Sequence, residues 1–356
     1  MIMENININH IAALSVSFIS TLFFIYFCYN FAVSIQLTDR PDWRKEHKGE
    51  IPLIGGIGVI FGFSLGCLIS FRGMSEWRPF FVCMFPLMLI GIMDDHGDIS
   101  VRKRIIVQIL TCFIMFFYGK IKLYSFGDII GIGYTISFEE LGFIVTLICV
   151  IGVINALNLI DGIDGLCASI SIIACISVVV VVITTGATAS IALILYFSAA
   201  LMAFLLINLG FGGNVIKKVF LGDAGTTIIG FFLCWHLIKL SQGENAIIRP
   251  IFSVWILIVP IMDTLSVIVR RIRNGDMPFK PGRDHIHHIL LGLGLSQKMV
   301  LLVLVILSFT LAAVATICEI KKLPEAYMFY AAILLFGLYH LLSEKLYKNQ
   351  SITKNH

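Results

Sequence analysis

Long apolar runs alternate with short polar segments along the whole chain. Runs near 11–36, 52–71, 79–93, 103–119, 140–157, 166–185, 188–208, 225–241, 250–269, 299–318 and 326–343 each approach the roughly 20 apolar residues that a membrane-spanning helix needs. The pattern predicts an all-α polytopic membrane protein with about eleven transmembrane helices, forming a single domain over 1–356. An odd number of crossings puts the termini on opposite sides. Five polar segments, 37–51, 94–104, 155–165, 210–225 and 270–298, then share one side. The stretch 120–139 falls on the other side. It alternates glycine with Tyr124, Ile129, Ile130, Tyr134 and Ile136, which predicts a small outer hairpin. Gly58, Gly62 and Gly66 recur at every fourth residue and predict a helix-packing face rather than a phosphate loop.

Composition agrees with lipid as the solvent. The 356 residues are 58% hydrophobic and 13% charged, against about 25% charged in soluble domains. Eighteen of the 26 Lys and Arg residues lie on the five-segment side or in the tail. That side is therefore expected to be cytoplasmic, with the N-terminus outside (periplasmic) and the C-terminus inside. The first ten residues carry no Lys or Arg, so the first run is expected to be a retained helix rather than a cleaved leader. Nine cysteines form no CxxC pair and sit almost entirely inside apolar runs. They predict neither a disulfide framework nor a zinc site, and nothing in the chain points to nucleic acid.

The acidic and histidine residues gather in the same five segments. Asp94 and Asp95 follow an apolar run directly; if the helix continues, Asp94 and Asp95 share faces with Asp98. They can form a metal-diphosphate site, supply a general base, or merely end a solvated helix. Asn155, Asn158, Asp161 and Asp164 follow at a spacing of three, a slowly turning polar ladder on a helix, although Gly162 and Gly165 permit a break. Asp223 sits between Gly222 and Gly225 at the start of an apolar run, as a helix N-cap or as a metal ligand beside the other carboxylates. His285, His287 and His288 fall within four residues of a loop that also holds Arg270, Arg271, Arg273, Lys280 and Arg283. They read as a transition-metal site or a phosphate cradle, the arginines also as anchors just past a span. Asp263 lies inside an apolar run near Pro260 and is structural or part of the site. Clustered carboxylates with basic groups nearby favour a hard cation such as Mg²⁺ and a diphosphate substrate. A catalyst in a bilayer favours a lipid co-substrate, and together these point to phosphoryl transfer.

Asp94-Asp95, the segments 155–165 and 219–226, and His285-Ile286-His287-His288 resemble the motifs of the polyprenyl-phosphate N-acetylhexosamine-1-phosphate transferases. The resemblance runs from about residue 20 to 320 and includes 51–56 and the eleven-span plan. The histidine motif is similar to the branch that acts on UDP-GlcNAc; the peptidoglycan-precursor branch has a triple histidine followed by Phe-Glu, which is absent here. The resemblance implies that undecaprenyl phosphate attacks the β-phosphorus of UDP-GlcNAc, giving undecaprenyl-diphosphate-GlcNAc and UMP. It implies Mg²⁺, with Mn²⁺ admitted, and a multi-pass bacterial inner-membrane protein starting O-antigen or enterobacterial common antigen synthesis. It admits a homodimer.

By the same resemblance Asp94, Asp95, Asp161 and His285 are catalytic, with Asp94 the base or orienting group on the lipid phosphate, and Asp223 with Asp95 holds the metal. Asp164 and Phe220 hold the uracil, Asn158 and Asp161 match polar site residues, and Lys48 and His285 match positions near the donor phosphates; Arg271, His287 and His288 of the basic loop are counted as substrate-binding with them. Single displacement is favoured over a covalent aspartyl intermediate. The tail after 343 carries no implied role. Two alternatives stay open: a sibling transferase using UDP-GalNAc or another UDP-sugar, and an ion-coupled transporter, which should place its acids at mid-membrane and repeat its halves.

Overall fold

A computed structural model describes residues 8–39, 49–70, 77–97, 99–138, 140–186, 191–213, 215–278 and 282–353. Every apolar run forms helix. The helices are α1 (Ile8–Ser34), α2 (Gly55–Ser70), α3 (Arg78–Gly97), α4 (Val101–Phe117), α5 (Gly142–Ile160), α6 (Leu166–Thr185), α7 (Ala192–Asn208), α8 (Gly222–Ser241), α9 (Pro250–Ile256), α10 (Ile258–Arg273), α11 (Ile286–Gly292), α12 (Gln297–Ile320) and α13 (Glu325–Thr353). Among the described residues seven helices are long and apolar enough to cross a membrane, or eight if α9 and α10 count as one broken span. The helices α2, α4 and α7 have 16 or 17 residues. At about 1.5 Å per residue they fall short of a hydrocarbon core roughly 30 Å thick.

The run 250–269 departs from the single span expected of it. α9 and α10 meet at an angle of 79°, with Leu257 between them off helical geometry. Pro260 has no N–H to offer the carbonyl four residues back, so the hydrogen-bond ladder breaks there.

α8 is the hub. From Ala224 to Ser241 every residue except Lys239 is buried, and α8 packs on α2, α3, α5, α6 and α9. Close backbone approach needs small residues. A side chain at Gly91 would overlap Ala224, one at Gly56 would overlap Gly225, and one at Gly230 would meet Ile154. The glycine face of α2 serves the same purpose against α1: side chains at Gly62 and Gly66 would strike Thr21 and Ser17, whose hydroxyls bond back to their own helix. The opposite side of α1 exposes Ile11, Ile19, Phe23, Phe27 and Phe31, and α13 exposes Tyr330, Leu334, Leu338 and Leu341. Such continuous apolar surface is suited to lipid.

Two short antiparallel pairs join β1 (Thr38–Asp39) to β2 (Ile51–Pro52) and β3 (Ser125–Gly127) to β4 (Ile136–Ser137). The second pair is the hairpin expected within 120–139. Gln242, just past α8, accepts from the backbone N–H of Tyr124 and Ser125 and donates to Ser125 O. The hairpin therefore sits at the C-terminal end of α8, and the opposite end is left for the acidic motifs.

Gly62→Leu should lower the melting temperature of the detergent-solubilised protein sharply. Overpacking of this kind costs typically 1–3 kcal/mol, or more against backbone, roughly. An unchanged melting temperature would show that the α1–α2 contact does not depend on this face.

Candidate active site

The N-terminus of α8 has no capping side chain of its own; Leu221 makes no cap bond. The acceptor comes from α3. Asp95 takes the backbone N–H of Asp223 at 2.6 Å and of Ala224 at 3.2 Å, satisfying two otherwise orphaned donors and placing negative charge at the positive end of the helix. Gly222 turns into the helix at φ +73°, and a side chain there would run into the Asp95 carboxylate. Asp223 is thus not the cap that its position also allowed. It lies in the first turn, and its carboxylate is free to face α3, α4 and α5.

There it meets Asn158, which donates to Asp223 Oδ1 and to Thr226 Oγ1, the latter at 2.9 Å. Arg104 Nη1 lies 2.7 Å from Asp94 Oδ2 and 3.7 Å from Asp223 Oδ2, so one guanidinium nitrogen serves two carboxylates. Asp94 is buried and its other oxygen accepts from Ile99 N–H at 2.7 Å. The predicted ladder is interrupted: α5 ends at Ile160, and Gly165 adopts φ +75° before α6. Asn155 and Asn158 are on the helix, while Asp161 and Asp164 are in the turn. Asn155 bonds back to Ile151 O and toward Gln108, a bundle contact. The Asp161 carboxylate has no hydrogen-bond or ion-pair partner among the described residues. Burial, then the charges of Asp223 and Asp164, push its pKa up to about 7.

A second set of contacts frames the turn. Gly55 and Gly56 N–H donate to the carbonyls of Phe220 and Leu221, and Phe220 N–H donates to Pro52 O. Asn208 bridges Gly165 N–H to Val219 O. Lys218 lies 2.5 Å from Asp164 and 5.1 Å from the centre of the Phe220 ring. The two residues that the resemblance assigns to uracil are therefore neighbours joined by a lysine to which sequence alone assigned no role.

The histidine segment is built on α10, α11 and α13. Arg271 holds Asp284 through two bonds, at 2.8 and 2.6 Å, and donates to Pro278 O. Burial alone would raise Asp284, but the bonds and charge of Arg271, with His285, outweigh it and hold the carboxyl below the usual range. In this arrangement Arg271 shapes the loop. Arg270 donates to Asp284 O and stacks over Tyr347, and Gln350 donates to His288 O. The tail past 343 thus braces the loop. His287 is buried, its two ring nitrogens have no partner among the described residues, and it packs on Gly162, where a side chain would collide with it. Burial, then His288 and His285, hold His287 well below the usual imidazole range. Burial, Arg283 and His285 push His288 down to about 4. Asp263 resolves as part of this cluster: it accepts from His285 Nδ1 at 2.7 Å, Ile286 N–H at 2.9 Å and Tyr339 OH at 3.0 Å.

The chain contacts above link Asp94, Asp95, Asn158, Asp161, Asp164, Phe220, Asp223 and His287 at one end of the bundle. His285 and His288 adjoin His287, with ring centres 6.1 and 4.2 Å from it. Lys48, Asp98 and Lys280 lie outside the described residues. Lys218, Asn208, Arg104 and Tyr339 are the residues that the sequence motifs did not single out. Among the described residues no three His, Cys, Asp or Glu side chains converge at metal-binding geometry. Mg²⁺ does not require three, since it takes one or two carboxylates and completes its shell with phosphate oxygens and water. Asp223 and the unpartnered Asp161 offer hard oxygen donors whose mutual repulsion a cation relieves, so the donor set fits Mg²⁺ or Mn²⁺. Asp95 is committed first to its cap.

The family described as Glycosyl transferase family 4 matches residues 77–241, which take in α3 to α8 and most of the acidic cluster. The undecaprenyl-phosphate alpha-N-acetylglucosaminyl 1-phosphate transferase of Salmonella typhi is 34% identical over 332 residues, 93% of this chain and 90% of that protein. The protein of the same description from Escherichia coli (strain K12) is 33% identical over the same shares. That of Haemophilus influenzae is 35% identical over 309 residues, 86% of each chain. Identity at this level over nearly the full length, with the acidic motifs assembled at one end of a multi-pass membrane bundle, makes this chain a member of the polyprenyl-phosphate N-acetylhexosamine-1-phosphate transferase family.

Proposed function

We propose that the protein transfers GlcNAc-1-phosphate from UDP-GlcNAc to undecaprenyl phosphate at the cytoplasmic face of a bacterial inner membrane. The products are undecaprenyl-diphosphate-GlcNAc and UMP, and the step would open O-antigen or enterobacterial common antigen synthesis. The observation that carries this reading is the meeting of distant motifs: Asp95 on the α8 amides, Asn158 on Asp223, and His287 on Gly162. The eleven-crossing topology with an outside N-terminus belongs to the same reading, supported by the Lys and Arg bias.

In the reaction an oxygen of the lipid phosphate attacks the β-phosphorus of the donor. The bond from that phosphorus to the bridging oxygen breaks, and UMP leaves with the electron pair. A lipid phosphate is already largely ionised near neutral pH, so Asp94 need only orient it, an arrangement aided by the Arg104 guanidinium. Asp164, Lys218 and Phe220 would hold the uridine by hydrogen bonding and stacking. Lys48 and the histidines would serve the diphosphate, with Arg271 holding their loop through Asp284. Asp223, with Asp161 beside it, would hold Mg²⁺, which when bound offsets charge on the diphosphate. Membership of a transferase family speaks against the transporter alternative. A sibling activity on UDP-GalNAc survives, because no contact described above reads the sugar.

Purified protein with undecaprenyl phosphate and Mg²⁺ should release UMP from UDP-GlcNAc faster than from UDP-GalNAc. The reverse preference would replace the donor, and no release from any UDP-sugar would reject the transferase reading. Asp223→Asn should reduce kcat by roughly 100-fold or more, the scale of losing one preorganised electrostatic contact. Wild-type kinetics in that variant would remove Asp223 from the metal site.

Asp161 gives a pH test. Its folded pKa of about 7 exceeds the unfolded value, so the metal-free fold binds this proton more tightly than the unfolded chain does. Stability contributed by protonated Asp161 is therefore lost as pH rises from the unfolded carboxylate range through 7. Mg²⁺ should restore it, raising the melting temperature more at pH 8 than at pH 6. Asp161→Asn should flatten that difference, and an equal Mg²⁺ effect at both pH values in the wild type would count against a cation beside Asp161.

A further inference from the structure

We infer that Asp263 is a positioning residue for His285, and that Tyr339 of the C-terminal helix completes its setting. The inference rests on the transferase reading above and deepens it. Asp263 is buried, with about 2% of its surface exposed, and His285 is buried with 3% exposed. A carboxylate held this deep needs full hydrogen bonding, and it has three donors: His285 Nδ1, Ile286 N–H and Tyr339 OH. They come from the loop, from the start of α11 and from α13. α11 therefore cannot shift relative to α10 and α13 without stripping this carboxylate of partners.

The consequence for His285 concerns its two nitrogens. A carboxylate on Nδ1 requires that Nδ1 carry a proton. Nε2 is then the ring nitrogen left to act, and it is buried without a partner among the described residues. The ring lies nearly parallel to that of His287, at 12°, and His287 packs on the Gly162 turn beside Asp161. The His285 ring is thus separated from the Gly162 turn by one ring, that of His287. With Nδ1–H held by Asp263, Nε2 is the ring nitrogen left to meet a substrate oxygen or its proton. Among the described residues His287 and His288 have no hydrogen-bonded carboxylate, which singles out His285 among the three.

Asp263→Asn preserves size but removes the charge. The amide can present its NH₂ to Nδ1, which leaves Nε2–H on a neutral ring. The tautomer is inverted while the packing remains.

The test uses the full-length protein in lipid-doped detergent, with UMP release from UDP-GlcNAc as the assay. Wild-type activity is established first; its absence would reject the transferase reading, and this inference with it. In an active wild-type background Asp263→Asn should lower kcat about 10- to 100-fold, the range for loss of a group that orients a functional histidine. The KM for undecaprenyl phosphate should change less than about twofold. Tyr339→Phe should give a smaller loss in the same direction. In a His285→Ala background Asp263→Asn should cost less than about twofold, because the two residues act as one unit. Additive losses in the two backgrounds would overturn the inference. So would Asp263→Asn protein that keeps wild-type kcat per folded molecule and loses only melting temperature. Should Asp263→Asn fail to accumulate, the Tyr339→Phe and His285→Ala pair runs the same cycle, and additivity there is equally fatal.

Discussion

The site depends on one carboxylate donated across a helix interface. α8 starts with Gly222-Asp223-Ala224 and brings no cap of its own, so its first amides need an acceptor from elsewhere. Asp95, at the end of α3, supplies it. Burying those amides unpaired would cost about 1–3 kcal/mol each, and the residues at Gly91 and Ala224 are small enough for the helices to close to bonding distance. The cap therefore sets the relative height of α3 and α8. It also determines where Asp223 points, because the same turn that offers its N–H to Asp95 sends its side chain toward Asn158.

Charge is distributed unevenly around the resulting site. One half holds Asp94, Asp161 and Asp223, with Arg104 as the guanidinium shared between two of them. The other half holds Arg270, Arg271 and the histidines, and its acids are already spent: Asp284 on Arg271, Asp263 on His285. An acidic half calls for a cation and a basic half calls for anionic oxygens. On the proposed reading a nucleoside diphosphate with a divalent ion would meet both requirements, and the exposed apolar surfaces of α1 and α13 would suit a long-chain acceptor.

Particular residues show how far sequence reasoning carried. The apolar runs located every long helix, and the glycine face of α2 was visible from its spacing alone. The motifs around 94, 158, 223 and 285 stood out because polar groups in such apolar surroundings are costly without a task. The bend at Leu257 was foreshadowed by Pro260 but read as a straight span, since hydropathy averages over a break. The ladder from Asn155 to Asp164 is read with a break permitted at Gly162 and Gly165, and the chain leaves the helix after Ile160. Asp263 stayed undecided because its partners, His285 and Tyr339, lie 22 and 76 residues away. Lys218 looked like one more basic loop residue until it was found between Asp164 and Phe220.

What the sequence determined by itself was the helical membrane class, the position of each apolar segment and the family, through its polar motifs. A bilayer forces every crossing segment to satisfy its own backbone hydrogen bonds, so helix and hydropathy are properties of consecutive residues and can be read along the chain. The tertiary structure alone decided which carboxylate caps, which one is left without a partner, and which of three histidines is held by an acid. Those outcomes depend on distances between side chains from different helices, and a hydrogen bond weakens steeply once its geometry departs from the ideal. Asp95 and Asp223 are chemically the same residue; the helix end that faces each of them made one a cap and left the other for the site.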